Sequence, residues 1–334
     1  MKCCWVGALA FMLVACNKQT MKELQPIPDA AYAKGVSAPF CGMLGQVLVV
    51  AGGANFPDKS LLEGGAKRVY ADIWAYAEGA WTHAGNLPDS VAYGATFPLA
   101  DALILAGGNV CGTTSDRVYE LRLQEGHAEL KVLPPLPVPM EQCGWAQEGE
   151  KLYLVGQEGV FACTAGEYRW ERLAAPPMPL VQPVAYAKEG RLFVWGGFHP
   201  ETLEVLDQGY CLSDGRWTEA PPIPDGGTFV GATGAVLPDG RLAVVGGVNR
   251  SIFAKALHNG PDDRIPYLSQ EPAWYRFRQE VFVFDGKAWS QVFSAPECAL
   301  AGPGVAAAAD GTLYVAGGEL KPGVRSPRIF HLSF

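Results

Sequence analysis

Leu103-Ile104-Leu105-Ala106-Gly107-Gly108 is the clearest copy of a short apolar run that ends in a glycine pair. Five runs keep both glycines and a sixth keeps only the first. The six runs occupy residues 47–53, 102–108, 151–157, 191–197, 241–247 and 312–318. Their first glycines are 55, 49, 40, 50 and 71 residues apart, and such spacing is typical of a repeat array. Six units of this kind bury their faces by packing around a ring, which leaves a mouth at its centre.

The pattern inside each unit predicts several short strands. The run before the glycines is continuously apolar, as in a strand buried on both faces, and glycine lets the chain turn where backbones crowd. A second apolar run follows, and the outer strand of four units begins with a tryptophan, namely Trp81, Trp170, Trp217 and Trp289. Proline-rich links such as residues 134–137 lead to the next unit. We therefore expect an all-β fold of six blades, with the tryptophans packed between blades.

The two ends of the chain supply parts of one unit. After the last glycine pair the sequence predicts one more strand, residues 328–333, without an outer strand of the tryptophan type. Residues 21–28 are similar to the outer strand and proline link of the other units. Pairing of this segment with the C-terminal strand would leave no edge unpaired. We therefore expect residues 21–334 to form a single domain, a six-bladed β-propeller that is closed by this pairing.

The first residues have the pattern of an export signal. A positive Lys2, an apolar stretch of about ten residues and small residues before Cys16 are typical of a secretory signal. The string Leu13-Val14-Ala15-Cys16 resembles the bacterial lipobox. This resemblance implies a signal peptide at residues 1–15, lipidation of Cys16 and a tether at residues 16–20. We expect an exported bacterial lipoprotein of the periplasm, anchored to the outer membrane by lipid alone. An ordinary signal peptide with an incidental cysteine is the alternative.

Composition narrows the classes of partner. The net charge of −8, without a visible basic patch, argues against a nucleic-acid partner. Six cysteines of the expected domain lack a C-x-x-C spacing, so we expect no metal site; they are Cys41, Cys111, Cys143, Cys163, Cys211 and Cys298. An exported protein is permitted disulfides, but the spacing does not define any pairing. The oligomeric state is left open by the sequence.

A polar residue follows each of the six runs, namely Asn55, Asn109, Glu158, His199, Asn249 and Glu319. In a ring of blades the loops after these runs emerge on one face, so Asn55, Asn109 and Asn249 are candidate ligand-binding residues at the mouth. An asparagine at such a place also satisfies a turn, and the two interpretations are equally open.

Two units carry long insertions, at residues 54–67 and 248–279. The first part of the second insertion predicts a short helix, and Trp274-Tyr275-Arg276-Phe277 returns the chain to its blade. A lid over the mouth would place Tyr275 and Arg276 against a ligand, because function often concentrates in long loops. A plain packing insertion is the alternative.

The order of glycine pair, aromatic residue and tryptophan resembles kelch repeats, over nearly the whole mature chain. A closer resemblance lies in residues 246–253, G-G-V-N-R-S-I-F, and residues 318–325, G-E-L-K-P-G-V-R. Both are similar to motifs of the bacterial N-acetylneuraminate epimerases, also called sialic acid mutarotases. The resemblance implies a kelch-type propeller that interconverts sugar anomers without a cofactor. It implies Glu319 as the proton acceptor and Arg325 as the group that holds the sugar carboxylate; a loop salt bridge is the alternative for this pair.

The chain departs from this family in two ways. Gly52-Gly53-Ala54-Asn55-Phe56 and Ala92-Tyr93-Gly94 precede the two motifs here, whereas their family counterparts follow, so the chain is similar to the cyclically permuted mutarotases. Val91 and Val181 stand where the family has arginines, while Gln182 is kept and is expected to bind the sugar. The expected ligand is therefore N-acetylneuraminate or a related sugar, including a neutral one. A non-catalytic kelch propeller that binds a glycan or a protein is the alternative from another class.

Overall fold

The computed structural model describes residues 19–334, and nearly all its regular structure is β. The predicted all-β class is therefore confirmed. The core of the described chain consists of six four-stranded antiparallel sheets. Sheet 1 comprises Phe40–Leu44, Val47–Ala51, Asp72–Ala77 and Ala80–Asn86; sheet 2 comprises Ala95–Pro98, Leu103–Ala106, Val118–Gln124 and His127–Leu133; sheet 3 comprises Gly144–Glu148, Lys151–Gly156, Gly159–Thr164 and Glu171–Arg172. Sheet 4 comprises Val184–Lys188, Arg191–Trp195, Gly209–Ser213 and Arg216–Ala220; sheet 5 comprises Ala232–Val236, Leu242–Gly246, Glu280–Phe284 and Trp289–Ser294; sheet 6 comprises Gly304–Ala307, Leu313–Ala316, Ile329–Ser333 and Thr20–Glu23.

The sheets follow one another in space as they do along the chain. The strand named first in each sheet contacts the first strand of the next sheet, and that of sheet 6 contacts that of sheet 1. Apolar clusters fill the space between neighbouring sheets; one of them joins Ile104 of sheet 2 to Leu154 of sheet 3. These contacts are of the kind that neighbouring blades of a propeller make.

The glycine pairs bring successive sheets together. The first glycine of the last pair, Gly317, has φ +64, and a Cβ atom there would lie 2.2 Å from the carbonyl oxygen of Val36. The amide of Gly318 donates to that same oxygen at 2.8 Å, which connects sheet 6 to the segment that enters sheet 1. Gly53, Gly108 and Gly247 donate in the same way to Val91, Met140 and Leu300. Glycine is required because only a residue without a side chain lets the two backbones approach so closely.

The N-terminal strand completes sheet 6. Thr20–Glu23 pairs antiparallel with Ile329–Ser333, in a register that places Thr20 opposite Ser333 and Glu23 opposite Phe330. The predicted pairing of the two chain ends is confirmed, although the strand begins at Thr20, inside the predicted tether, and ends at Glu23. The predicted signal peptide and Cys16 lie outside the described residues. Within the described residues, no helix has the length and apolar character needed to cross a membrane.

Short elements connect the sheets on the side of the glycine pairs. Three of them are hairpins: Ala54–Asn55 with Arg68–Val69, Asn109–Val110 with Thr113–Thr114 (the Asn109 hairpin), and Glu319–Lys321 with Val324–Arg325 (the Glu319 hairpin). Val91–Ala92 adds a third strand beside Asn109–Val110. The insertion in sheet 5 contains helices α1 (Arg250–Leu257) and α2 (Pro261–Leu268), so the helix predicted there is present. Short 3-10 helices lie at Ala30–Tyr32, Leu61–Glu63, Pro224–Gly226, Pro272–Tyr275 and Pro296–Cys298.

Candidate functional site

Six residues, one before each first strand, form a ring that we call the mouth ring. They share a left-handed backbone with φ between +52 and +72 and are Ala38, Tyr93, Gln142, Gln182, Gly231 and Gly302. Five backbone hydrogen bonds of 2.6 to 2.9 Å connect neighbours in this ring, including Gln142 N–H to Tyr93 O and Gly302 N–H to Gly231 O. In the described chain the sixth link, between Gln182 and Gly231, has no such bond. The six sheets thus bring their entry segments to one place.

The mouth ring surrounds a cavity of about 190 Å³, which we call the upper cavity. Its walls are the mouth ring, the starts of the first strands, Phe253 of α1 and the Glu319 side chain. Glu319 is the one charged side chain among the described residues that line it. Cys41 and Cys143 also line it, and burial raises the pKa of each thiol to about 12, so both remain neutral.

The Glu319 hairpin presents a carboxylate to this cavity. Its turn consists of Pro322 and Gly323, the latter with φ +82, and proline followed by a glycine of positive φ is the signature of a type II turn. Pairing across this turn places Glu319 opposite Arg325. Glu319 Oε1 accepts from Gly323 N–H at 2.8 Å and from an Arg325 guanidinium N–H, whereas Oε2 accepts from no described residue. One oxygen is therefore held in place and the other is free to accept a proton.

Arg325 lies behind Glu319 and outside the lining of the upper cavity. Its side chain is only 5% exposed, against 25% for Glu319. Its Nε–H donates to Ala54 O at 3.2 Å, and its guanidinium lies 5.3 Å from the centre of the Phe56 ring. The structure brings the predicted pair together: the Arg325 guanidinium donates to Glu319 Oε1 and is not among the groups that line the upper cavity.

The three asparagines make local contacts. Asn55 is fully buried, donates to Ala31 O and Gly35 O at 2.9 Å each, and accepts from the Tyr70 hydroxyl at 2.7 Å. Asn109 accepts from Gly112 N–H in its own turn, and Asn249 accepts from Ile252 N–H as the N-cap of α1. None of the three lines the upper cavity. Their geometry therefore favours the turn-forming interpretation over direct sugar contact.

The sheet 5 insertion packs behind the Glu319 hairpin. Tyr275 is fully buried and its hydroxyl donates to Tyr267 O, while Lys321 Nζ donates to Gln270 O at 2.6 Å. Burial and, second, the nearby Glu319 carboxylate raise the pKa of Tyr275. Arg276 is exposed and lines, with Asn249, a separate groove of about 710 Å³. Of the described insertion, Val248 and, from α1, Phe253 line the upper cavity, so most of the insertion packs beside the site rather than covering it.

Gln182 does line the upper cavity, as the sequence predicts for a sugar-binding residue. Its side-chain amide donates to Gln142 Oε1 at 2.6 Å, so two amides from neighbouring sheets form a polar wall. Sequence reasoning missed Gln142, Tyr93 and Trp145 as lining residues. Val91 is buried and Val181 pairs with Phe198. Because both side chains are valines, neither supplies the charge of the family arginine.

The described residues contain no group of three or more metal-ligating side chains in position to hold a metal ion. The cysteines Cys41, Cys111, Cys143, Cys163, Cys211 and Cys298 are all free thiols.

Fold and site together define an all-β protein with one carboxylate held at the edge of a cavity of about 190 Å³. The family model "N-acetylneuraminate epimerase" matches residues 10–132 and 133–334, and the chain belongs to this family. It is similar to N-acetylneuraminate epimerases of Brucella melitensis (28% identity; 58% of this chain, 57% of that protein) and Vibrio vulnificus (32%; 33% and 34%). The Haemophilus influenzae protein of that name is 29% identical over 60% of this chain. These matches span 34 to 58% of the relatives' lengths.

Proposed function

We propose that this protein is a sugar anomer epimerase that interconverts the α and β anomers of N-acetylneuraminate or a related sugar. Three findings support the proposal: membership of the epimerase family, a cavity of about 190 Å³, and a carboxylate with one free oxygen at its edge. The free Oε2 of Glu319 is the observation that carries it. A general base must have an unused acceptor within reach of the proton it takes.

The reaction needs one proton to leave and another to arrive. Glu319 Oε2 would take the proton of the anomeric hydroxyl as the bond between the anomeric carbon and the ring oxygen breaks, and the ring oxygen would take a proton from water. The anomeric carbon becomes a carbonyl, which rotates and is attacked from its other face when the ring closes. The protons then return by the reverse steps, so no net atom or electron is gained. General acid–base help of this kind is worth about 10²- to 10⁴-fold in rate.

Arg325 has a positioning role in this proposal. It donates to Glu319 Oε1 and to Ala54 O, so it joins the Glu319 hairpin to the short strand that follows the glycine pair of sheet 1. Charge-assisted hydrogen bonds of this kind are stronger than neutral ones and hold a carboxylate in one orientation. The sugar carboxylate would then be bound elsewhere, at neutral donors such as the Gln142 and Gln182 amides.

We further propose that the six sheets are the blades of a closed, kelch-type propeller with the upper cavity at its centre. The cyclic contacts of the first strands, the mouth ring and the pairing of the chain ends support this architecture. The order of the motifs supports a circularly permuted family member. A closed ring tolerates such a permutation because neighbours in space are unchanged.

The cellular location of the protein is proposed from the sequence alone. The lipobox-like string before Cys16 supports an exported lipoprotein of the periplasm, anchored to the outer membrane. Radiolabelled palmitate incorporation in the native chain, lost on Cys16→Ala, would test it.

A neutral sugar is the second candidate substrate. No cationic side chain lines the upper cavity within the described part of the chain, and its one charge is the negative Glu319. A sugar without a carboxylate would avoid repulsion by that charge.

NMR of anomer exchange distinguishes an epimerase of acidic sugars, an epimerase of neutral sugars and a non-catalytic propeller. N-acetylneuraminate and a panel of neutral pyranoses are equilibrated with and without the protein. Acceleration of only the acidic sugar supports the first candidate, and acceleration of only neutral sugars supports the second. Binding without any acceleration would show a non-catalytic glycan-binding propeller instead.

A further inference from the structure

The third residue after each mouth-ring member lies at an equivalent position in the first strand of its sheet. These residues are Cys41, Thr96, Trp145, Ala185, Gly234 and Val305, and all six line a second cavity of about 300 Å³ (the lower cavity). Strand register confirms that the six positions are equivalent. In sheet 3, for example, Val155 precedes the first glycine, Gly156, and pairs with Gly144, and Trp145 is the next residue after Gly144. The same relation holds in the other five sheets. Five of the six are small or medium in size. Trp145 is the exception.

Trp145 also lines the upper cavity, as do Cys41, Thr96 and Val305, so these four residues lie at the boundary between the two cavities and Trp145 is the largest of them. It is partly exposed and packs against the apolar cluster between sheets 2 and 3. Its indole N–H donates to no described residue. The indole nitrogen is also absent from the fully buried side-chain atoms without a partner, so this donor is free rather than buried. An aromatic body with a free donor is therefore available at the bottom of the upper cavity.

We propose that Trp145 is the floor of the sugar site: its indole ring packs against the bound sugar and closes the upper cavity from the lower one. This inference rests on the proposed function and adds a substrate class to it, a single free sugar rather than a longer glycan. An open channel could admit a chain, whereas a blocked one accepts only what fits above the indole. Large aromatic side chains offer much contact area and a polar group to orient a ligand.

The size pattern around the channel supports this role over simple filling. A side chain that only closed the channel could come from any of the six positions, or from several smaller ones. Instead five positions carry small or medium side chains and one supplies the whole indole, on the side of the channel where the Gln142 and Gln182 amides stand above it. The sugar would thus meet an apolar floor and a polar wall from the same side.

The test is a titration with N-acetylneuraminate and with the neutral panel, followed by calorimetry and by tryptophan fluorescence. Trp145→Phe keeps an aromatic floor, Trp145→Ala removes it, and Trp217→Phe is the matched control. Trp217 lies on an outer strand, where its indole N–H donates to Ala174 O at 3.0 Å. Melting temperatures of all variants are recorded, and Trp145→Phe keeps the test valid if Trp145→Ala does not fold.

The proposal predicts a sugar-dependent fluorescence change in the wild type and in Trp217→Phe but not in Trp145→Phe. It also predicts affinity weakened by about tenfold or more in Trp145→Ala, with a smaller loss in Trp145→Phe. Equal affinity in the wild type and both Trp145 variants, or a fluorescence change that persists in Trp145→Phe, overturns the floor and leaves the epimerase proposal intact. Trp145-dependent binding without faster anomer exchange supports the floor and overturns the epimerase proposal. Absence of binding by every sugar overturns both.

Discussion

The Asn109 and Glu319 hairpins share one backbone contact but differ in chemistry. In each the first residue follows a glycine pair and accepts from the turn glycine, Asn109 from Gly112 N–H at 2.7 Å and Glu319 from Gly323 N–H at 2.8 Å. Asn109 lies opposite a threonine, whereas Glu319 lies opposite Arg325 and lines the upper cavity. The repeat therefore supplies the same support at both places. Function depends on what the side chain adds beyond that support: a second oxygen and a buried cation behind it.

Glu319→Gln is the most severe test of this difference. Because the amide keeps its size but is not a base, we expect the exchange rate to fall by about 10²- to 10⁴-fold. Sugar affinity and melting temperature should remain close to those of the wild type. Asn109→Asp is the matched control, a change between acid and amide in the other hairpin, and it should leave the rate unchanged.

The strand that completes sheet 6 supports the Glu319 hairpin but not the Asn109 hairpin. Deletion of residues 19–28 removes four paired residues and the buried Ile27, so we expect a loss of about 4 kcal/mol in the free energy of unfolding. Hydrogen exchange should rise more in sheet 6 than in sheet 2. Lys22→Ala, which keeps the backbone pairing, should change stability by less than about 0.5 kcal/mol. An unchanged melting temperature of the truncated chain would count against closure through this strand.

Arg325→Ala separates support from chemistry at the Glu319 hairpin. It leaves Glu319 Oε1 and Ala54 O without their guanidinium donor, which should cost about 1 to 3 kcal/mol in the free energy of unfolding. The exchange rate should fall while affinity for neutral sugars changes little, because Arg325 does not line the cavity. Arg68→Ala, at an exposed pair with Asp58 of 4.0 Å, is the control and should cost less than about 1 kcal/mol. A loss of affinity as large as the loss of rate would place Arg325 in direct contact with the sugar.

Buried thiols lie in the apolar clusters beneath sheets 2 and 6, and they predict how the free energy of unfolding changes at high pH. Burial raises the pKa of Cys143, in the cluster shared with sheet 2, and of Cys298, in the cluster beneath sheet 6, to about 12. An unfolded thiol ionises near pH 9, so between pH 9 and pH 12 the native state binds more protons and stability falls as pH rises. Each thiol contributes about 1.4 kcal/mol per pH unit in that window.

Denaturant melts in reducing buffer from pH 8 to pH 11 would measure this slope. Cys298→Ala should reduce it by the share of one thiol, and an exposed-thiol control, Cys111→Ala, should not. An equal slope in the Cys298→Ala protein would contradict the assignment of that share to Cys298.

The sequence predicted the six sheets, the pairing of the chain ends and the approach of Glu319 to Arg325, because glycine pairs and a Pro-Gly turn act through local sterics. The sugar-binding roles expected for Asn55 and Asn249 stay predictions, and neither residue lines the upper cavity. Both stand one residue further from their glycine pair than Glu319 does, and successive residues of an extended chain face opposite sides. Val248, at the offset of Glu319, does line the cavity.

The mouth ring and Trp145 lay beyond sequence reasoning. Tyr93, Gln142 and Gln182 adopt positive φ without being glycine, and that conformation is fixed by hydrogen bonds to neighbouring sheets rather than by their own identity. Trp145 becomes conspicuous only when six distant strand positions are aligned by their pairing.

The central claim is that the Glu319 carboxylate catalyses anomer exchange in the upper cavity. Magnetisation-transfer NMR of a sugar from the panel, with equal amounts of wild-type and Glu319→Gln protein, measures it most directly. We expect an exchange rate that rises in proportion to the wild-type concentration and stays at the buffer rate with Glu319→Gln. Equal rates with the two proteins, whether fast or slow, would contradict it.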